Sequence, residues 1–168
     1  MALAFVVPAA ASQVAAGTRI SNTAVVAFTQ QGRSTSASAS ATFLVDQLLD
    51  VTVTWQDSSP VLAPAGAVDR SLLFKVTNTG NGADVYSLNL LALPAAGEDF
   101  AVTGCRLYLD SDSNGIWTDA DAPYVPGSND PSLAAGASTQ VLALCNIPAN
   151  AVDRHFANVQ LTATPTTF

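Results

Sequence analysis

Apolar side chains recur at every second position along most of this chain, which is the period of strands and not of helices. Near the N-terminus Ala24, Val26 and Phe28 alternate with Thr23, Val25 and Ala27, and Thr29-Gln30-Gln31-Gly32 has the composition of a turn. A second run begins at Arg33, with Ala37, Ala39, Ala41, Phe43 and Val45 facing one way and Ser36, Ser38, Ser40 and Thr42 the other. The pattern predicts one long hairpin over residues 20–45. A Ser/Ala tract could equally be a low-complexity linker, but a strict period of two running into Phe43 and Val45 argues for a paired strand. The small side chains on both faces would let another sheet or chain approach closely.

After Asp46 a second unit begins, with Leu49, Val51, Val53 and Trp55 inward against Asp50, Thr52 and Thr54. The same alternation returns at Leu72, Phe74 and Val76, then, after the Asn78-Thr79-Gly80-Asn81-Gly82 turn, at Tyr86, Leu88 and Leu90. It reappears at Cys105, Leu107 and Leu109, at Val141, Ala143 and Cys145, and at Ala157, Val159, Leu161 and Ala163. With a short strand near Tyr124-Val125, these segments predict an all-β fold. Its expected form is an Ig-like antiparallel β-sandwich of about seven strands over residues 47–168, preceded by a hairpin over 19–46 and an N-terminal segment over 1–18. In that segment Met1 to Val7 are apolar and Pro8-Ala9-Ala10-Ala11-Ser12 resembles the end of a secretory signal, yet no basic residue precedes them. Residues 1–18 are accordingly either a signal remnant or a donor strand, and no stretch is long enough to span a membrane.

Composition supports the all-β reading. The chain is 49% hydrophobic and only 11% charged, with Lys75 the one lysine and Glu98 the one glutamate, so the usual dressing of helix surfaces is missing. A formal net charge of −7 disfavours nucleic acid and anionic lipid as partners and suits divalent cations. Cys105 and Cys145 lie on separate predicted strands. A disulfide between them is the natural pairing, worth about 4 kcal/mol for a loop of that length. Two buried free thiols in a reducing compartment are the alternative.

The one dense cluster of chemistry is Asp110-Ser111-Asp112-Ser113-Asn114-Gly115-Ile116-Trp117-Thr118-Asp119-Ala120-Asp121. A hard dication such as Ca2+ takes about six to eight oxygen ligands, and the D-x-D-x-N-G spacing supplies them in order. Asp110, Asp112 and Asn114 would offer side-chain oxygens, Gly115 the sharp turn, Ile116 its backbone carbonyl and Asp121 the closing ligand. Asp121 stands where a helix-loop-helix site has Glu, and Pro123 and Pro126 forbid an exit helix, so the loop is expected as a β-connection. A metal-free Asp/Asn/Gly turn is the plainer alternative.

Three stretches carry a resemblance: Ala16-Gly17-Thr18-Arg19-Ile20-Ser21-Asn22-Thr23-Ala24, Lys75-Val76-Thr77-Asn78-Thr79-Gly80-Asn81, and Leu133-Ala134-Ala135-Gly136-Ala137-Ser138. Together the chain resembles the Ig-like "conserved repeat" modules of bacterial surface and secreted proteins. The resemblance implies an extracellular, non-enzymatic module, often in tandem and often carrying a calcium-type loop after a Leu-Tyr-Leu strand. Leu107-Tyr108-Leu109-Asp110 matches that placement. Here a single such module follows the hairpin.

Catalytic chemistry is not indicated. His155 is the one histidine, no G-x-S-x-G accompanies it, and the clustered carboxylates are explained by ligand spacing. Two functions are expected from what remains. The first is a secreted structural subunit of a bacterial surface layer or extracellular filament, self-associating as a homopolymer by strand donation from the N-terminal region. The second is a calcium-ordered adhesin or carbohydrate-binding module that contacts cell-surface proteins or glycans, with Trp117 and Tyr124 as its ligand contacts.

Overall fold

The computed structural model describes residues 13–93 and 99–167, so the expectations placed on Met1–Ser12 lie outside the described residues. The chain divides into two compact units, Met1–Leu48 and Leu49–Phe168. It is all-β, and among the described residues no helix is long and apolar enough to cross a membrane.

The first unit is a hairpin of β1 (Arg19–Gln30) and β2 (Arg33–Leu44), paired in unbroken antiparallel register from Arg19↔Leu44 to Gln30↔Arg33. Gln31 and Gly32 both take positive φ, the two-residue type I′ turn whose twist matches that of the strands. At the open end Gly17 N–H donates to Val45 O (2.8 Å) and Val45 N–H to Thr18 O (2.9 Å). Register sorts the side chains into two faces. Ile20, Ala24, Val26 and Phe28 share one with Ala37, Ala39, Ala41 and Phe43, interrupted by Asn22. The other is a ladder of hydroxyls, in which Ser21 bonds Thr42 (3.2 Å), Thr23 bonds Ser40 (2.9 Å) and Thr29 bonds Ser34 (3.3 Å). Every residue of both strands is exposed, Val26 at 64% and Phe43 at 68%.

The second unit is the sandwich. One sheet has five strands in the order β3-β4-β9-β6-β7, and the other has three in the order β10-β5-β8. The elements are β3 (Val51–Trp55), β4 (Arg70–Asn78), β5 (Asp84–Leu93), β6 (Thr103–Leu109), β7 (Ala122–Pro123), β8 (Ser132–Leu133), β9 (Ser138–Asn146) and β10 (Asn158–Pro165). Taken in chain order, β3, β4, β9 and β6 occupy the places of strands A, B, E and D of an immunoglobulin sandwich, and β5 and β10 those of C and F. The sequence pattern is borne out by the core: Phe74, Val76, Tyr86, Leu88, Leu107, Val141, Ala143 and Leu161 pack between the sheets. The short strand expected at Tyr124-Val125 falls instead at Ala122–Pro123. There Pro123 needs no ladder donor because β7 is an edge, and Tyr124 N–H still reaches Leu107 O at 2.9 Å.

Two features tie the sheets and loops together. Between β6 and β9 the pairing skips from Thr103↔Asn146 to Arg106↔Leu144, so Gly104 and Cys105 together oppose Cys145. Gly104 has φ +59°, the left-handed conformation of a glycine-led bulge, and a Cβ there would lie 2.8 Å from Asn146 Nδ2. The bulge sets Cys105 opposite Cys145, and the two form a disulfide (S–S 2.05 Å). Asn78 is the second tie. Its buried amide donates to Gly82 O (2.8 Å) and Leu133 O (2.9 Å) and accepts from Gly80 N–H (2.9 Å), while its backbone bonds Ala137 O and Gly136 N–H. The stretches 75–81 and 133–138 noted in the sequence therefore dock on one another through this side chain. Replacing Asn78 by Ala orphans two buried carbonyls and one N–H and should lower the unfolding free energy by about 3 kcal/mol in urea denaturation. A loss below about 1 kcal/mol would contradict that account.

Candidate metal centre

The acidic loop is strung between β6 and β7 and lies against the outer side of the five-stranded sheet. β9 makes this possible because it alternates between two buried faces: Val141 and Ala143 enter the core, whereas Leu142 and Leu144, equally buried, point the other way. In register, Leu142 has Leu73 of β4 on one side and Tyr108 of β6 on the other. Trp117 covers Tyr108 edge-to-face, with ring centroids 5.8 Å apart and planes at 66°. Gly115 approaches Leu73 so closely that a Cβ would lie 2.9 Å from Leu73 Cδ2, and its φ of +74° also requires glycine. Asp110 N–H donates to Gln140 O (3.1 Å), anchoring the start of the loop to β9.

This scaffold brings the expected carboxylates together. One oxygen each from Asp110, Asp112 and Asp121 lies within 4.8 Å of the others. Asp110 and Asp121 are each 4% exposed, while Asp112 is open to solvent. Backbone donors surround them. Asp110 accepts from Gly115 N–H (2.8 Å) and Asn114 N–H (3.3 Å), and Asp121 accepts from Thr118 N–H (2.8 Å) and Ser111 N–H (3.0 Å). Asp112 Oδ2 takes the Asn114 amide at 2.6 Å, and Asn114 Oδ1 takes Ile116 N–H at 2.6 Å. Ile116 holds its side chain out in water, 67% exposed, so only its backbone is placed to serve the loop.

The donor set suits a hard divalent cation: three carboxylates and an amide, all oxygen-bearing, with no sulfur or imidazole among them. Among the described residues the ion pairs are Arg106–Asp69 and Arg154–Asp153, so no basic side chain neutralises the triad. Gln140 Oε1 adds a buried acceptor without a donor among the described residues, 3.9 Å from where a Gly115 Cβ would sit. The spacing of Asp110, Asp112, Asn114 and Asp121 located this cluster from sequence alone. Gln140, Leu73 and Tyr108 escaped that reading because they come from three other strands, although the even phase of Tyr108 opposite Leu107 and Leu109 marks it as outward-facing.

The two aromatic candidates part company. Trp117 is half-buried on Tyr108, and its Nε1–H has no partner among the described residues. Tyr124 donates to Asp130 Oδ1 (2.6 Å) and accepts from Leu88 N–H (2.8 Å), bridging from the β7 end to β5. Tyr124 lines a cleft of about 410 Å³ with Leu88, Leu90, Leu107, Tyr108 and Pro126, which Trp117 does not line. Neither a protein-family model, a curated protein nor a solved structure matches this chain.

The Asp121 carboxyl is held below the ordinary carboxylate range, chiefly by Thr118 N–H and then by Ser111 N–H, with burial opposing. The bonded form is the ionised one. Its stabilisation is therefore complete above the unfolded value of about 3.9 and disappears as pH falls through the depressed folded value. In chelator, the urea midpoint of the native chain should fall more steeply below about pH 4 than that of Asp121→Asn. Parallel pH profiles would contradict this.

Proposed function

We propose that this chain is an extracellular structural subunit of a bacterial surface layer or filament, a member of the Ig-like conserved-repeat class, that self-associates through its N-terminal region. One observation carries the reading: a hairpin of two 12-residue strands that is exposed on both faces yet apolar on one. Two-stranded ribbons are at best marginally stable in water, and a long flat edge without Lys, Glu or Pro is a template for further pairing. The disulfide supports an oxidising location. The sequence has one histidine, His155, and no G-x-S-x-G motif to accompany it, which is in keeping with a non-enzymatic role. The packing of Trp117 onto Tyr108 favours this reading over that of a glycan-binding surface.

In this reading Ca2+ is a structural cofactor. Asp110, Asp112 and Asp121 would hold it, joined by Asn114 Oδ1 and the Ile116 carbonyl after small rotations of the loop. Bound there, the ion would supply the positive charge the triad lacks and lock the loop over Leu73 and Tyr108. The sandwich would then be a rigid body stapled by metal and disulfide, suited to bearing load and offering nothing to turn over.

Two measurements test this. With free Ca2+ at a hundred times its dissociation constant, the stabilisation is about 2.7 kcal/mol, which should raise the melting temperature by about 10 °C over the chelated chain. Asp112→Asn, a change at an exposed ligand, should abolish the shift while leaving the chelated melting point in place, and Mg2+ should not reproduce it. Equal melting with and without Ca2+ would remove the metal from the account. Separately, the weight-average mass of the full chain in sedimentation should climb with concentration above its 17.2 kDa. A fixed monomer mass throughout would reject self-association.

A further inference from the structure

The two layers of the sandwich are unequal. The five-stranded sheet faces a sheet with only two full-length strands, β5 and β10, because β8 contributes two residues beside Asp84 and Val85. In the immunoglobulin order the place beyond strand F belongs to a seventh strand, and among the described residues β10 pairs with β5 alone. The consequence is visible across the gap, on β3. Trp55 is in register with Phe74 and Val53 with Val76, so both side chains sit on the core-facing side. Yet Val51 and Val53 are only half-buried and Trp55 is 46% exposed. An inward-facing tryptophan open to water marks the end of a strip of core that the described residues of the opposite layer cover only in part.

The backbone along that strip is also available. Tyr86 and Leu88 donate their N–H groups away from β10, to Pro131 O (3.0 Å) and to the Tyr124 hydroxyl (2.8 Å). Their register partners Pro165 and Ala163 must turn their backbone groups outward, and so must Leu161 and Val159 at the same phase. Pro165, which has no N–H, falls where none is needed for the β5 ladder. Among the described residues the outer edge of β10 thus presents three N–H groups and a row of carbonyls with the spacing of an unpaired strand.

From this geometry we infer that the occupant is β1 of a second copy of this chain, added edge to edge along β10 with Ile20, Ala24, Val26 and Phe28 laid over Val51, Val53 and Trp55. The inference rests on the self-association proposed above and names its acceptor. β1 is long enough, with 12 residues against the 8 of β10, and it alternates apolar and polar as a covering strand must. Charge selects the pairing. Residues 1–48 carry Arg19 and Arg33 against Asp46, whereas residues 49–168 carry twelve carboxylates against four cations. A hairpin is attracted to a sandwich, but two hairpins or two sandwiches repel. Addition of β1 with β2 behind it would make a sheet of β2-β1-β10-β5, matched in width to the sheet it faces. The donor and acceptor are different surfaces, so the contact is heterologous and propagates as an open chain of subunits.

Two full-length variants test it. Ala163→Pro removes an outward N–H without touching the β5 ladder, and so disables the acceptor. Val26→Asp puts a charge on the covering face, and so disables the donor. In sedimentation and light scattering the native chain should grow past dimers with concentration, and each variant alone should remain at the 17.2 kDa monomer. Mixed in equal amounts, the variants should form dimers that grow no further, since the intact donor of one meets the intact edge of the other. Assembly of Ala163→Pro like the native chain, or a mixture that stays monomeric, would overturn the inference while leaving self-association standing. A native chain monomeric at every concentration, whether because its own hairpin or nothing at all covers the edge, would overturn both. Should Ala163→Pro not fold by circular dichroism, hydrogen exchange on the native chain decides. The amides of Val159, Leu161 and Ala163 should become protected on assembly, and unchanged exchange there would overturn the inference.

Discussion

A central strand without a solvent face is the constraint on which the sandwich depends. Val141, Leu142, Ala143, Leu144 and Cys145 are consecutive, apolar and buried, so β9 has to be covered from both sides at once. The opposite sheet covers one side with Tyr86, Leu88 and Leu161. On the other side the acidic loop takes part of that task by setting Trp117 on Tyr108 and Gly115 on Leu73. Burial of apolar surface thereby decides where the carboxylates go. Asp110 and Asp121 leave water because the loop carrying them is held down by its hydrophobic underside, and backbone N–H groups compensate the lost hydration.

The two units of the chain are stabilised by different means. The sandwich has a core, a buried side-chain amide that joins two turns, and a disulfide across a bulge. The hairpin has a backbone ladder, a turn of matching twist and cross-strand hydroxyl pairs, each contributing a few tenths to about 1 kcal/mol. Such pairs fix register without supplying a core. A slip of one residue would exchange the apolar and hydroxyl faces, and the unbroken register keeps Ile20, Val26, Phe28 and Phe43 together on one side.

Much of this was legible in the sequence because a period of two is a strong signal where one face is wet. Val51, Phe74, Val76, Tyr86, Leu88, Leu107 and Leu161 were placed correctly by alternation, and the hairpin by its turn. The reading weakened where alternation stopped carrying information. In β9 the odd residues were recognised and Leu142 and Leu144 were not, since a run buried on both faces has no period. The bulge at Gly104 was invisible because one inserted residue leaves the neighbouring phases looking continuous. The acidic triad was readable because its ligands are close in sequence. Its support by Gln140 and Leu73 was not, being set by strand order, which no local pattern encodes. Tyr124 was assigned to a ligand on the strength of its residue type, whereas its hydroxyl is occupied in joining Asp130 to β5.

The bond between Cys105 and Cys145 also encloses the acidic loop, β7, β8 and the turns between them. A protease that cuts the main chain anywhere from 106 to 144 opens a ring without detaching a fragment. Both new ends remain joined through sulfur, and the strands on either side of the cut stay neighbours in the sheet. Wherever peptide bonds are cut and not resynthesised, this arrangement lets the acidic loop be nicked without loss of a fragment.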